Sequence, residues 1–418
     1  MFCKKILPVL SLCAFCFPGL QAADWPLFRG AARDDISTET GLLKTWPEGG
    51  PALAWKASGI GGGFSGVSVS EGRVFTMGED PSSSLLFALD EATGKQLWSA
   101  KVGPIGGGSG YPGPRCTPTA DGNLVFAFGQ FGDLVCVDSA TGKEVWRKNL
   151  EKDFPGSKVP RFGFSESPLV DGDKLIFTPG GPSGCIAALN KKTGEVLWRS
   201  ADLPDNAAYS SLVVATIAGV RQYVQFTEAS VAGVSAVDGR LLWRADFGRP
   251  EGKPCCPIST PVVDGNLVYV SMAYGVGCNL FRVEAADGKF TAERVYANKE
   301  MSNHHGGVIK IRDAVYGYSD GKGWVCQDFK TGQIIWAEKA KLGKGSLSCA
   351  DGLLYLRAED GKGTLALIEP SPAGWIEKGR FDQPERTDKK SWPHPVVSNG
   401  KLYVRDQDSL FAYDIKAK

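Results

Sequence analysis

Short apolar runs recur along the chain, each broken by a tight turn rich in Gly, Asp or Asn. Leu124-Val125-Phe126-Ala127-Phe128 follows Gly122-Asn123, and Leu134-Val135-Cys136-Val137 follows Asp133. Apolar and polar positions alternate only in part, the pattern of strands covered on both faces. A turn signature then closes each pair of runs. Asp90, Thr93-Gly94-Lys95 and Trp98 form one copy, and Asp138, Thr141-Gly142-Lys143 and Trp146 another. Asn190, Thr193-Gly194 and Trp198 make a third, and Asp328, Thr331-Gly332 and Trp336 a fourth. The Asp or Asn stands eight residues before the Trp in all four, and Ser235, Asp238-Gly239 and Trp243 keep that spacing with a degraded turn. The signature predicts a β-hairpin, in which Asp or Asn bonds back to the turn backbone and Gly supplies a positive φ. Trp then lies on the strand after the turn, where a large ring packs between neighbouring sheets.

A small residue followed by Pro precedes the first strand of several units: Thr117-Pro118, Ser167-Pro168, Thr260-Pro261 and, with His in place of the small residue, His394-Pro395. Trp98, Trp146, Trp198 and Trp243 follow one another at intervals of 45 to 52 residues. One four-stranded sheet per interval predicts an all-β chain, an eight-bladed β-propeller of four-stranded antiparallel sheets. The blades are expected to start near Val67, Pro118, Pro168, Ser211, Pro261, Gly307, Ser348 and Pro395. Blades five and seven carry degenerate turns, at Asp287-Gly288 and Pro372-Ala373-Gly374. The eighth stops at Leu410-Phe411-Ala412-Tyr413-Asp414 without its Trp strand, and Ala52-Leu53-Ala54-Trp55-Lys56 is expected to supply it. Such an exchange closes the ring and removes a free edge. The domain reading is a signal peptide over 1–22, an extension over 23–50 and the propeller over 51–418.

The N-terminus predicts export from the cytoplasm. Lys4 and Lys5 precede the apolar stretch Ile6 to Phe17, which is too short to span a bilayer, and Leu20-Gln21-Ala22 leads to a cut near Ala22/Ala23. Lipid attachment at Cys13 is the less favoured alternative, because Leu12 stands where such signals carry Gly, Ala or Ser. A periplasmic or secreted protein with no membrane span is expected. The formal net charge is +1, and no Lys/Arg run of nucleic-acid type occurs, so DNA and RNA are not expected partners. Of 11 cysteines, Cys3, Cys13 and Cys16 fall in the leader, and Cys136, Cys185 and Cys326 lie inside apolar runs, as small hydrophobes do.

The Asp-x-x-Thr-Gly-x-x-x-Trp unit resembles the tryptophan-docking motif of pyrroloquinoline-quinone (PQQ)-type propellers, and the resemblance covers nearly the whole mature chain. Trp25-Pro26-Leu27-Phe28-Arg29-Gly30 is similar to the opening of small bacterial members. The resemblance implies two functions. Some members are quinoprotein dehydrogenases that hold PQQ and Ca²⁺ over the central channel. Others, including an outer-membrane assembly lipoprotein, carry no cofactor and bind proteins. The enzyme reading expected here is an oxidoreductase acting on an alcohol or sugar. Its alternative is a monomeric, cofactor-free scaffold for proteins or glycans.

Loops leading into the innermost strands converge at one end of a propeller channel. All three histidines, His304, His305 and His394, lie on such loops. With Glu166 they read as an acid–base or metal cluster, or as loop residues bonded to backbone. Neighbours in a strand point to opposite faces, so only one of His304 and His305 is expected in a single inward site. Arg115 and Lys344 suit an anionic ligand such as a quinone tricarboxylate, or line a wet channel as ion pairs. Trp392 is placed to stack on a planar cofactor or sugar, and Ser210 shares that set of loops. Glu166 and Asn303 are candidates for a Ca²⁺ pair by residue type and loop position, with no family calcium set aligned to them. The resemblance implies that Cys255-Cys256 forms the adjacent-cysteine disulfide that packs on PQQ in some dehydrogenases. Two free thiols are the alternative. Departures from the dehydrogenases are plain: no large insertions and no Cys-x-x-Cys-His haem signature. A thiol count on the denatured mature chain discriminates the two states of the pair, reading two fewer thiols when it is bridged.

Overall fold

The computed structural model describes residues 24–248 and 256–417; the predicted signal peptide and Cys255 lie outside the described residues. The described residues form eight antiparallel sheets, over 68–103, 119–149, 169–199, 213–245, 262–298, 308–338, 345–381 and 396–414. These are the eight blades the repeat predicts. Blade seven begins at Gly345, a little before the expected Ser348. The eighth blade takes its outer strand from the N-terminal side: Ala52–Ser58 pairs antiparallel with Ser409–Asp414, with Trp55 opposite Ala412.

The turn chemistry works as the pattern requires. Asp138 Oδ1 accepts from the Thr141 amide at 2.9 Å and the Thr141 hydroxyl at 2.7 Å. Gly142 holds φ +72. The outer strand then shifts register between Glu144 and Trp146, and the same bulge precedes Trp55, Trp98, Trp198, Trp243 and Trp336. A bulge increases local twist and re-aims the next side chain. Here it turns the Trp onto the turn of the following blade, except at Trp243, which packs on Gly233 and donates to Gln222 Oε1 at 2.5 Å within its own blade. A Cβ on Gly142 would meet Trp98 at 2.6 Å, one on Gly194 would meet Trp146 at 2.9 Å, and one on Gly239 would meet Trp198 at 2.3 Å. Indole N–H groups donate to the same turns, Trp98 to Ser139 O at 3.2 Å and Trp146 to Lys191 O at 2.9 Å. Trp55 closes the ring, packing on Gly94 of blade one and donating to Glu91 O at 3.0 Å.

Blade five shows how a degenerate turn is absorbed. Its outer hairpin extends over Gly277–Ala286 and Lys289–Asn298. Tyr296 takes the Trp place, covering Gly332 and donating to Phe329 O at 2.9 Å.

Hydroxyls stitch the inner strands around the channel. The Thr117 amide donates to Ser167 Oγ at 2.9 Å, the Ser167 amide to Ser211 Oγ at 3.0 Å, and Ser259 Oγ to Asn303 Oδ1 at 2.7 Å. This explains why small polar residues precede the inner strands. Buried backbone at a crowded axis needs short side-chain partners.

The segment before the propeller enters the channel, which the sequence reading left as an extension. Trp25 pairs with Val69 of blade one, and Pro26 O accepts from the Ala120 amide of blade two at 2.7 Å. Arg33 donates to Leu212 O at 2.7 Å, Ser167 O at 2.6 Å and Pro168 O, reaching blades three and four. Arg29 Nη2 donates to Val308 O of blade six at 2.8 Å. Ile36–Ser37 then adds a parallel strand to Gly345–Ala350 of blade seven. Arg29, Arg33 and Asp35 hold φ of 66, 57 and 62, which coils the segment tightly. Such non-Gly conformations cost about 1–3 kcal/mol each, offset here by multi-donor guanidinium contacts. No described helix is long and apolar enough to cross a membrane.

The Trp-on-Gly contact has a matched control. Gly142→Ala and Gly122→Ala both place Ala at positive φ, but only Gly142 faces a ring, Gly122 having nothing within 4 Å. Gly122→Ala is expected to lose roughly 1 kcal/mol. Gly142→Ala should lose roughly 1–3 kcal/mol more. Equilibrium denaturation measures both, and equal losses would contradict the tight packing.

Candidate functional site

The channel plug divides the axis into two cavities, and Arg29 borders both. The one on the loop end is a funnel of about 180 Å³. Its floor is Trp25, Phe28, Arg29 and Asp35 of the plug, and its walls come from the loops before the inner strands. The other, about 340 Å³, lies further along the inner strands beside Asp34 and Lys310.

Aromatic rings run across the funnel as a continuous stack. Phe64 lies on Trp392 at 4.0 Å, Trp392 on His305 at 4.1 Å, and His305 on His304 at 3.6 Å between ring centroids. Tyr274 meets His304 edge-on at 5.0 Å. His304 and His305 therefore both line the funnel, contrary to the expectation that only one would. That expectation assumed a strand, whereas Asn303, His304 and His305 lie in a loop and a bend.

Neither ring suits proton transfer near neutral pH. Burial, then His305 and Lys344, push the His304 imidazole down to about 3. Burial, then Lys344 and Arg115, hold His305 well below its ordinary value. A base so weak is poorly matched to neutral-pH chemistry. His394 lies lower, its Nδ1 3.0 Å from Asp35 Oδ2 and its Nε2 3.0 Å from His305 O. Asp35 also pairs with Arg29 at 3.1 Å, and both are buried.

The remaining predicted residues divide in two. Arg115, Cys256 and Trp392 line the funnel. Arg115 spends Nη1 on Gly113 O at 2.9 Å and Nη2 on Tyr111 O at 2.6 Å, and burial lowers it to about 10. Lys344, Ser210, Glu166 and Asn303 do not line it. Lys344 sits behind His304, bonded to Asp320 at 2.7 Å and His304 Nδ1 at 3.0 Å. Ser210 donates to Ser259 O at 3.2 Å between blades four and five. Glu166 turns between blades three and four, accepting from the Thr178 amide at 2.6 Å, the Thr178 hydroxyl at 3.0 Å and Gln225 Nε2 at 3.3 Å. Asn303 uses its whole amide, donating to Gly307 O at 2.9 Å and Tyr318 O at 3.0 Å while accepting from Ser259. Cys255 lies outside the described residues.

These positions do not fit a quinone with its calcium. The oxygens of Glu166 and Asn303 are engaged by protein donors, and among the described residues no cluster of three or more His, Cys, Asp or Glu is placed to hold a metal. The funnel is also smaller than the roughly 300–1,000 Å³ of drug-sized ligand pockets.

A family profile described as outer membrane protein assembly factor BamB matches residues 82–338, more than half of the chain. The chain belongs to the PQQ-like β-propeller repeat family. BamB of Shewanella oneidensis is 25% identical over 297 residues, covering 68% of this chain and 71% of that protein. The quinohemoprotein alcohol dehydrogenase of Comamonas testosteroni is 29% identical over only 133 residues, 29% of this chain and 18% of the enzyme. The crystal structure of BamB from Moraxella catarrhalis superposes with a TM-score of 0.57 at 16% identity, covering 82% of this chain and 94% of that one.

Sequence reasoning missed Arg29, Asp35 and Phe64. The charged string Arg29, Arg33, Asp34 and Asp35 close after the Trp25-Pro26-Leu27-Phe28 run was the available signal.

Glu166 gives a pH test. Burial raises its carboxyl from 4.5 to about 7, against the hydrogen bonds of Thr178 and the charge of Arg33. A carboxyl raised in the folded state favours folding most below its unfolded value, and that contribution is lost as pH rises through the folded one. The wild type should therefore lose melting temperature relative to Glu166→Gln between pH 4.5 and 7. Parallel melting curves across that window would contradict the assignment.

Proposed function

We propose that the chain is a cofactor-free binding propeller of the bacterial cell envelope, receiving its partner at the loop end of the channel. One observation carries this reading. The groups that quinone–calcium chemistry would need are engaged within the protein, whereas the funnel's aromatic wall borders open space. Sequence similarity to BamB, extending over most of both chains, supports a binding role over a catalytic one. Sequence similarity to the dehydrogenase covers less than a third of this chain. The expected leader peptide and the naming of the BamB relatives as outer-membrane factors support a periplasmic location.

The channel plug fits a scaffold. It fixes the inner strands against one another, so the loops present a preorganised face, which lowers the ordering cost of binding. Titration of the purified mature chain with PQQ and Ca²⁺ tests the reading. The expected result is no saturable absorbance change and no dye reduction with alcohols or sugars. A calcium-dependent quinone complex that reduces dye would overturn it.

A further inference from the structure

We infer that the funnel receives one carboxylate carried on an apolar body of a single ring, the carboxylate on Arg115 and the ring among Tyr111, Tyr209 and Tyr274. The inference rests on the reading of the loop end as the binding face.

An unpaired cation in the wall points to an anion. Arg115 lines the funnel and is partly buried, yet no Asp or Glu among the described residues forms an ion pair with it. Glu79, the acid whose charge acts on it, spends Oε1 on the Gly106 amide and on Gln130 Nε2, both at 2.7 Å. Arg115 gives one N–H to Gly113 O and one to Tyr111 O. Its Nε has no acceptor in the protein and stays in contact with open space. A charge buried without a partner is costly, and a carboxylate matches the edge of a guanidinium.

A second donor faces the same space. The Lys344 ammonium has only hydrogens to offer, so His304 Nδ1 accepts from it at 3.0 Å and Nε2 carries the ring proton. That Nε2 finds no acceptor in the protein and is not sealed from the funnel that His304 lines.

Charges elsewhere around the wall are balanced. Arg29 pairs with Asp35, Lys344 with Asp320, and Lys390 with Glu359 and Asp360. Arg161, exposed at the rim over Phe162 at 5.5 Å, adds a positive charge with no ion pair among the described residues. Beyond burial, the charges of Lys344, Arg115 and Lys390 hold His305 neutral, so the field inside the funnel favours an anion. A cation finds no such partner, because Asp35 at the floor is fully buried.

Size and apolar surface define the rest of the ligand. A cavity of about 180 Å³ corresponds to the share of roughly six liquid waters, room for one ring and its carboxylate. Tyr111 and Tyr274 are 38% and 42% exposed, and Tyr209 is partly exposed, so open ring surface stands around the charge. An inorganic anion would leave that surface wet, whereas a ring covers it.

Isothermal titration calorimetry on the mature chain, at neutral pH and low salt, tests this with benzoate, phenylacetate, 4-hydroxybenzoate and cyclohexanecarboxylate. The expected result is saturable heat from at least one acid. Its neutral amide, acetate and inorganic phosphate should each bind at least about tenfold more weakly. Arg115→Gln should weaken the acid about tenfold or more, and Tyr111→Ala, at the exposed rim, about threefold. Arg115 also ties its own loop, so the acid–amide comparison on the unmutated chain decides the matter if Arg115→Gln fails to fold. Silence from every acid, an amide or phosphate that binds as tightly, or undiminished binding by folded Arg115→Gln overturns the assignment. Silence from the acids with silence from PQQ leaves the binding-propeller reading standing, whereas a functional quinone complex removes both.

Discussion

The structure depends on one repeated contact, a tryptophan ring laid on the turn glycine of the next blade. Each element of the repeat serves it. Asp or Asn and Thr fix the turn, Gly removes the Cβ that would collide with the ring, and a bulge before the Trp aims the indole outward from its own sheet. The contact joins blades rather than completing one, so stability accrues between neighbours, as in other repeat proteins. Trp55 shows its importance at the seam. The N-terminal strand both fills the eighth sheet and carries the ring that locks that sheet to Gly94 of the first.

A ring held at its rim leaves the axis to be filled, and this chain fills it with its own N-terminal segment. Two buried arginines make this possible. Arg33 and Arg29 carry several donors in a fixed fork, enough to reach carbonyls of blades three, four and six. Carboxylate partners are sparse for them, so backbone oxygen does most of the compensating, and burial lowers Arg33 to about 10. The plug also makes the funnel, because a channel open at both ends would be a pore lined by water. Its aromatic wall and polar floor exist because residues 25–35 cross beneath the loops.

The same geometry engages, within the protein, the groups that the sequence offers to a quinone and its calcium. Acidic and amide groups that look like metal ligands in the linear sequence are turned between blades, where they join inner strands. His304 and His305, which look like acid–base candidates, form part of a ring stack, and their burial beside Lys344 keeps them neutral. Polar residues dense on one set of loops are therefore mostly the means by which closely packed inner strands satisfy their backbone. What remains available to a ligand is chiefly aromatic surface.

The eight blades, their turn geometry and the closure by Trp55 were legible along the chain. Each follows from local chemistry repeated at a fixed interval, so every copy reinforces the reading of the others. Blade five was located by its strands, but Tyr296 in the Trp place was not, because its role depends on lying over Gly332 of another blade. Funnel membership was legible for Arg115, Trp392 and His394, whose loops must converge at the axis, and for only one of His304 and His305. The direction of Glu166 and Asn303, the stacking of His304 on His305 and the entry of residues 25–37 into the channel were not. Those outcomes depend on which distant surfaces compete for the same buried donors and acceptors, and only the closed ring brings those surfaces together.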